Sequence, residues 1–128
     1  MKFPEYYNPE SPKKYPVVYV LDGGVQLQKL ATVCANYEGH YLPDMFLVGI
    51  SNRSNRTRDL TTSEVKIRHG FPMREESGGA GKFTHFIEKE LIPFVEQKYS
   101  VSTYRTLVGH SYGGLFTIYT LINHANLF

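Results

Sequence analysis

The sequence predicts an α/β domain of three layers, with helices on both faces of a mainly parallel sheet. Three observations carry this. Tyr15 to Leu21 and Met45 to Ile50 are apolar without polar alternation, the pattern of strands covered on both faces. Stretches of helical period separate the strand-like runs, and such alternation builds layered α/β domains. Gly109-His110-Ser111-Tyr112-Gly113-Gly114 then joins a short β-prone run to an apolar helical one.

Asn8 to Lys14 is a loop punctuated by Pro9 and Pro12. The first strand follows, Tyr15 to Leu21, and Asp22-Gly23-Gly24 ends it abruptly. A helix is expected from Val25 to about Tyr37, where Leu27, Leu30, Ala31 and Cys34 make a short apolar stripe. Met45 to Ile50 is the second strand. Ser51 to about Arg74 is polar, glycine-punctuated and without a clear period, so a long loop is expected, of the kind that carries function or disorder. Glu75 to Gly81 continues it to the clearest helix, where Phe83, Phe86, Ile87, Leu91, Phe94 and Val95 recur at spacings of three and four. Pro93 cannot donate a backbone hydrogen bond, so a kink or break is expected near Ile92. Arg105 to Val108 is a short third strand. Leu115 to Ile122 reads as a buried helix packed on the sheet.

The 128 residues suit a single domain, and 41% hydrophobic with 20% charged residues is a globular composition. A net charge of +2 is too small to argue for nucleic acid. The one cysteine, Cys34, excludes an internal disulfide framework and a cysteine-based metal site, and its apolar neighbours read as burial. The N-terminus has no apolar signal-like region, and no window reaches membrane-spanning length, so no membrane partner is expected of these residues. No two histidines are spaced as a metal site requires. No metal and no cofactor is expected.

Ser111 is the candidate nucleophile. In a Gly-x-Ser-x-Gly segment the serine occupies a strained position on a tight strand-to-helix turn, and glycines on either side are expected to clear the adjoining strand and helix. The helix starting at Tyr112 aims free N–H groups at the place where negative charge would develop. The Tyr112 N–H is one expected oxyanion donor. The second is expected from Gly23 or Gly24, because glycine lets a backbone amide approach a substrate oxygen. Arg53, Arg56 and Arg58 with Asp59 lie in the loop after the second strand, where arginine forks could grip an anionic or phenolic substrate or form a structural Arg–Asp clamp. Both readings stay open. No base for the serine is assigned among His40, His69, His85, His110 and His124.

These features together resemble the serine esterases of the α/β-hydrolase fold, the group of esterase D-type, enterobactin-type siderophore and feruloyl-type carbohydrate esterases. Tyr15 to Gly24 resembles the family's strand and oxyanion loop, and Gly49-Ile50-Ser51-Asn52 with Arg58-Asp59-Leu60 resembles its next strand and loop. Gly78-Gly79-Ala80 with Phe83, Phe86, Ile87, Glu90-Leu91 and Pro93 resembles its long helix, and Gly109 to Gly114 its nucleophile segment. The resemblance implies hydrolysis of a small-molecule carboxylic ester through an acyl-enzyme on Ser111. Family members are about twice this long and carry the acid and histidine after the elbow helix. Residues 1–128 are therefore expected to be the N-terminal and central portion of one α/β-hydrolase domain, truncated at both ends, lacking the C-terminal strands and inactive alone. An unprotected edge at the elbow strand would invite oligomerisation. The competing functions are acyl transfer from the same nucleophile and a noncatalytic binding domain that keeps the elbow as architecture.

Overall fold

A computed structural model of the chain describes residues 1–37 and 40–128. Strand β1 (Tyr15–Val20) is the middle of a three-stranded parallel sheet, flanked by β2 (Phe46–Gly49) and β5 (Val101–Val108). Val18 pairs with Leu47 on one side and Thr106 on the other. The alternation of β1 divides its side chains between two cores. Tyr15, Val17 and Tyr19 join Phe46 and Val48 against Phe83, Ile87, Ile92, Val95 and Phe116. Val18 and Leu47 face helix α1 (Gly23–Ala35) through Leu27, Leu30, Ala31 and Cys34. Both faces are covered, which is why the strands read as apolar runs. Cys34 is buried.

Two crossovers set the topology. β1 reaches β2 through α1 on one face. β2 reaches β5 through α3 (Ala80–Phe86), a π-helical turn (Ile87–Leu91) and α4 (Ile92–Lys98) on the other. The order in which strands are added thus reverses at β1, and in open α/β sheets the crevice beyond the strand carboxyl ends at such a point is where ligands bind. Helix α5 (Tyr112–Asn123) starts at that end of β5.

Several elements depart from expectation for identifiable reasons. α1 begins at Gly23, not Val25, because Asp22 adopts a left-handed conformation (φ 53°, ψ 38°) that turns the chain directly into the helix. β5 begins at Val101, four residues early: Tyr15 pairs with Val101 and Val17 with Arg105, so Ser102 to Tyr104 bulge out of register. The long loop contains a short helix α2 (Arg56–Leu60) and a two-residue hairpin, β3 (Ile67–Arg68) with β4 (Phe71–Pro72). The irregularity expected near Ile92 is present, as a π-helical turn and not an open break. The Ile92 N–H bonds back five residues to the Ile87 carbonyl, and this widened turn brings Pro93 into the first turn of α4, where its missing N–H has no partner to lose. α5 is not fully buried: Phe116 and Thr120 are, whereas Leu115, Ile118, Leu121 and Ile122 are exposed.

The sheet's two outer edges differ. Lys2 pairs antiparallel with Leu47 on the free side of β2, and Phe3 and Tyr7 pack there on Phe46 and Tyr99. Among the described residues nothing pairs with the outer edge of β5. Tyr19, fully buried in the main core, leaves its hydroxyl without a hydrogen-bond partner among the described residues, and burial pushes its pKa up to about 12. An unsatisfied buried hydroxyl destabilises, so Tyr19→Phe is expected to raise stability by about 1 kcal/mol in urea unfolding. The unfolded chain ionises this tyrosine first as pH rises past 10. Wild type should therefore lose more stability than the variant between pH 10 and 12.

Candidate active site

β5 ends at Val108, and within three residues the chain has reversed into α5. Ser111 takes the turn with φ 58° and ψ −121°, a conformation that costs a non-glycine residue about 1–3 kcal/mol. Its surroundings hold it there. The Gly113 N–H donates to the His110 carbonyl at 2.9 Å, and the Leu115 N–H to the Ser111 carbonyl at 3.0 Å. A Cβ at Gly109 would lie 2.3 Å from the Gly113 carbonyl oxygen and 2.9 Å from Thr117 Oγ1, so only glycine fits. Gly113 differs from expectation: a Cβ there would meet Leu21 Cβ at an ordinary 3.4 Å. Its backbone, not its missing side chain, is what crowds Gly109. Ser111 itself is exposed.

The turn after β1 lies alongside. The Leu21 N–H bonds to the Val108 carbonyl at 2.9 Å, extending the β1–β5 ladder to the base of the elbow. The two sequence candidates for the second donor separate here. The Gly23 N–H donates to the Ile50 carbonyl at 2.8 Å and is already used. Glycine is needed there for packing, since a Cβ would sit 2.6 Å from the Gly49–Ile50 backbone. Gly24 is exposed, and among the described residues its N–H has no acceptor; the same holds for the Tyr112 N–H. The arrangement can offer an oxygen two open amides, one from each strand end.

Arg56 joins the two turns. Its Nε and Nη2 donate to the two carboxylate oxygens of Asp22 at 2.7 and 3.0 Å, and Nη2 also reaches the His110 carbonyl at 3.4 Å. The guanidinium lies 5.3 Å over the Tyr112 ring, within cation–π range. The Asp22 hydrogen bonds hold the Arg56 pKa above its ordinary value. Hydrogen bonds to charged groups are worth about 1.5–3 kcal/mol, and with 34% of the Arg56 side chain exposed the low end applies. Arg58 bonds to Asp59, whose other oxygen accepts from Asn52 Nδ2 in a buried contact at 2.9 Å. Arg53 is exposed beside Gly24, its Nε 3.3 Å from where a Cβ on that glycine would lie. Among the described residues it has no carboxylate partner.

Several cavities lie near the site, and those of about 470 and 270 Å³ both reach Tyr112. The one of about 470 Å³ is lined by Arg68, His69, Phe71, Arg74, Glu75 and Tyr112, among others. A larger one, about 1120 Å³, runs from Ser51 and Asn52 to Phe83 and Leu91, and Ser111 lines none of the three. Arg68 Nη1 donates to the Tyr112 hydroxyl at 2.7 Å, a contact with no local signal in the sequence. The His110 side chain is exposed, and only its carbonyl serves the elbow. Among the described residues no histidine is hydrogen-bonded to Ser111 or to a carboxylate, and no three His, Cys, Asp or Glu cluster as metal ligands would. No helix among them is long and apolar enough to cross a membrane.

The family model described as "Putative esterase" matches residues 1–128. The ferri-bacillibactin esterase BesA of Bacillus subtilis (strain 168) is 33% identical over 94% of this chain and 47% of its own length. The solved structure of an IroE-like serine hydrolase from Shewanella oneidensis is 37% identical with a TM-score of 0.90, covering 99% of this chain and 42% of that one. The siderophore hydrolase EstA from Aspergillus nidulans is 30% identical at a TM-score of 0.74, over 93% and 45%. The chain thus spans less than half the length of these relatives.

The glycine geometry yields a paired prediction. Gly109→Ala forces a backbone collision and is expected to cost more than about 3 kcal/mol, whereas Gly113→Ala should stay within about 1 kcal/mol of wild type. Urea midpoints of the two variants measured side by side check the difference.

Proposed function

The chain belongs to the putative esterase family, and from that premise we propose that Ser111 is the nucleophile of a carboxylic ester hydrolase. Ser111 Oγ attacks the ester carbonyl carbon, and the carbonyl oxygen becomes an oxyanion held by the N–H groups of Gly24 and Tyr112. Collapse of that intermediate breaks the bond to the alcohol oxygen, which leaves with a proton and an acyl-Ser111 behind it. Water then releases the acid. No histidine among the described residues stands ready to take the Ser111 proton, and the proposal assigns that proton to a base outside them.

The observation that carries this reading is the exposed, strained Ser111 together with the Gly24 and Tyr112 N–H groups, which have no acceptor among the described residues. Arg53, exposed beside Gly24 and without a carboxylate partner among the described residues, suits an anionic substrate. The relatives named for siderophores, whose metal-binding oxygens carry negative charge, point the same way. The proposed substrate is accordingly an ester within a siderophore. Arg56 and Arg58 are paired with Asp22 and Asp59, which favours the structural-clamp reading of these two arginines.

A fluorophosphonate probe applied to the full-length protein is expected to leave one adduct, located by peptide mass spectrometry at Ser111 and absent from Ser111→Ala. An unlabelled Ser111, or undiminished ester turnover in that variant, contradicts the reading. Replacing Arg53 by Ala should raise KM for a siderophore ester several-fold while leaving a small neutral ester unaffected, as loss of an exposed ionic contact does.

A further inference from the structure

The segment between α2 and α3 is anchored at its neck and almost bare at its tip. At the neck, the Gly79 N–H bonds to the Arg58 carbonyl at 2.7 Å, and the Ala80 N–H to the Thr61 carbonyl at 3.1 Å. The Gly78 N–H bonds to Thr61 Oγ1 at 2.8 Å, and the Val65 N–H to Ser77 Oγ at 2.7 Å. Gly78 has φ +84° and packs so closely on Glu64 that a Cβ would meet its nitrogen at 2.6 Å. The tip is the β3–β4 hairpin, turning at His69 and Gly70 (φ 51° and 82°). Its Ile67 and Phe71 are 67% and 75% exposed, so apolar burial does not seat it. Among the described residues the hydrogen bond that joins the tip itself to the domain runs from Arg68 to the Tyr112 hydroxyl, while Glu75, just beyond β4, is bonded to Thr57 of α2.

Tyr112 is therefore held by two cations, Arg68 at its hydroxyl and Arg56 over its ring face. The same residue presents, next to Ser111, an N–H with no acceptor among the described residues. Rotation of the ring about its first side-chain bond is coupled to the backbone at a residue that begins a helix from a strained turn, so a ring fixed at both ends restrains that peptide. We propose that Arg68 is a positioning residue, which seats the hairpin over the elbow and holds the Tyr112 N–H in line with the developing oxyanion. The inference rests on the esterase reading above. It also gives the hairpin a purpose: the same contact closes one wall of the cavity of about 470 Å³, so its arm of the substrate and its oxyanion donor are set by one bond.

If Arg68 acts only through the Tyr112 hydroxyl, removing either partner has the same consequence. The test is a double-mutant cycle in the full-length protein with a small fluorophosphonate, separating the maximal rate of Ser111 labelling from the probe's half-saturating concentration. Arg68→Ala and Tyr112→Phe should each lower the maximal rate about fivefold, the scale of a net hydrogen bond, and leave half-saturation unchanged. The double variant should be no slower than either single one, and Arg68→Lys should recover part of the rate. Wild-type labelling rates in both single variants overturn the proposal. So do effects that multiply in the double variant, or that fall on half-saturation alone, which would mark Arg68 as a direct probe contact. A wild-type protein that takes no label at Ser111 overturns the esterase reading and this inference with it. Labelled wild type with unaffected variants overturns this inference alone.

Discussion

The fork between Arg56 and Asp22 is the interaction on which the candidate site depends. Asp22 and Ser111 are two of the three non-glycine residues with positive φ among those described, and they sit at the carboxyl ends of adjacent strands. Each turn stores strain that the backbone would release if nothing opposed it. Arg56 contacts both: the Asp22 carboxylate on one side, the His110 carbonyl and the Tyr112 ring on the other. A planar guanidinium suits this because it can satisfy a carboxylate with two donors and still spare one for a carbonyl and a face for a ring. Lysine offers a single charged point and could not hold the same three partners.

The sheet supplies the rigid frame against which that fork works. β1 and β5 are hydrogen-bonded up to Leu21 and Val108, so the two turns begin from a fixed separation. On the other side, Ile50 receives the Gly23 N–H and donates to Val20, stitching the β2 end to the base of the first turn. Three strand ends are thus laced together, and the excursion after β2 returns Arg56 on α2 across the top of them. The topology favours this place for the candidate site: opposite-face crossovers leave a crevice beside β1 at the strand carboxyl ends. Of the glycines around the open amides, Gly23 donates its N–H to Ile50, and Gly109 packs so closely on the Gly113 carbonyl that a side chain would collide with it.

Much of this was legible in the residues. Strands buried on both faces show as unbroken apolar runs, which placed β1 and β2. The elbow declares itself because strain, glycine clearance and helix start all fall within six residues, Gly109 to Gly114. The choice between Gly23 and Gly24 was not legible, since it turns on a hydrogen bond to Ile50, twenty-seven residues away in sequence. Nor were the partners of Arg56 and Arg68, because ion pairs and hydroxyl contacts made across the fold leave no local period. Pro93 marked where the helix is irregular but not how: proline forbids one hydrogen bond, and a π turn supplies a path that needs none there. The exposed apolar face of α5, with Ile118, Leu121 and Ile122, also escaped a reading that equates apolar residues with burial.

The central claim is that Gly24 and Tyr112 form one oxyanion site beside Ser111, organised by Arg56. A crystal structure of the full-length protein with Ser111 phosphonylated tests it most directly, because the phosphoryl oxygen marks where the oxyanion would lie. The account predicts that oxygen at about 2.7–3.1 Å from the backbone nitrogens of both Gly24 and Tyr112, with Arg56 still bridging Asp22 and the His110 carbonyl. A phosphoryl oxygen turned away from either amide, or held by Gly23 after its bond to Ile50 has broken, would contradict it.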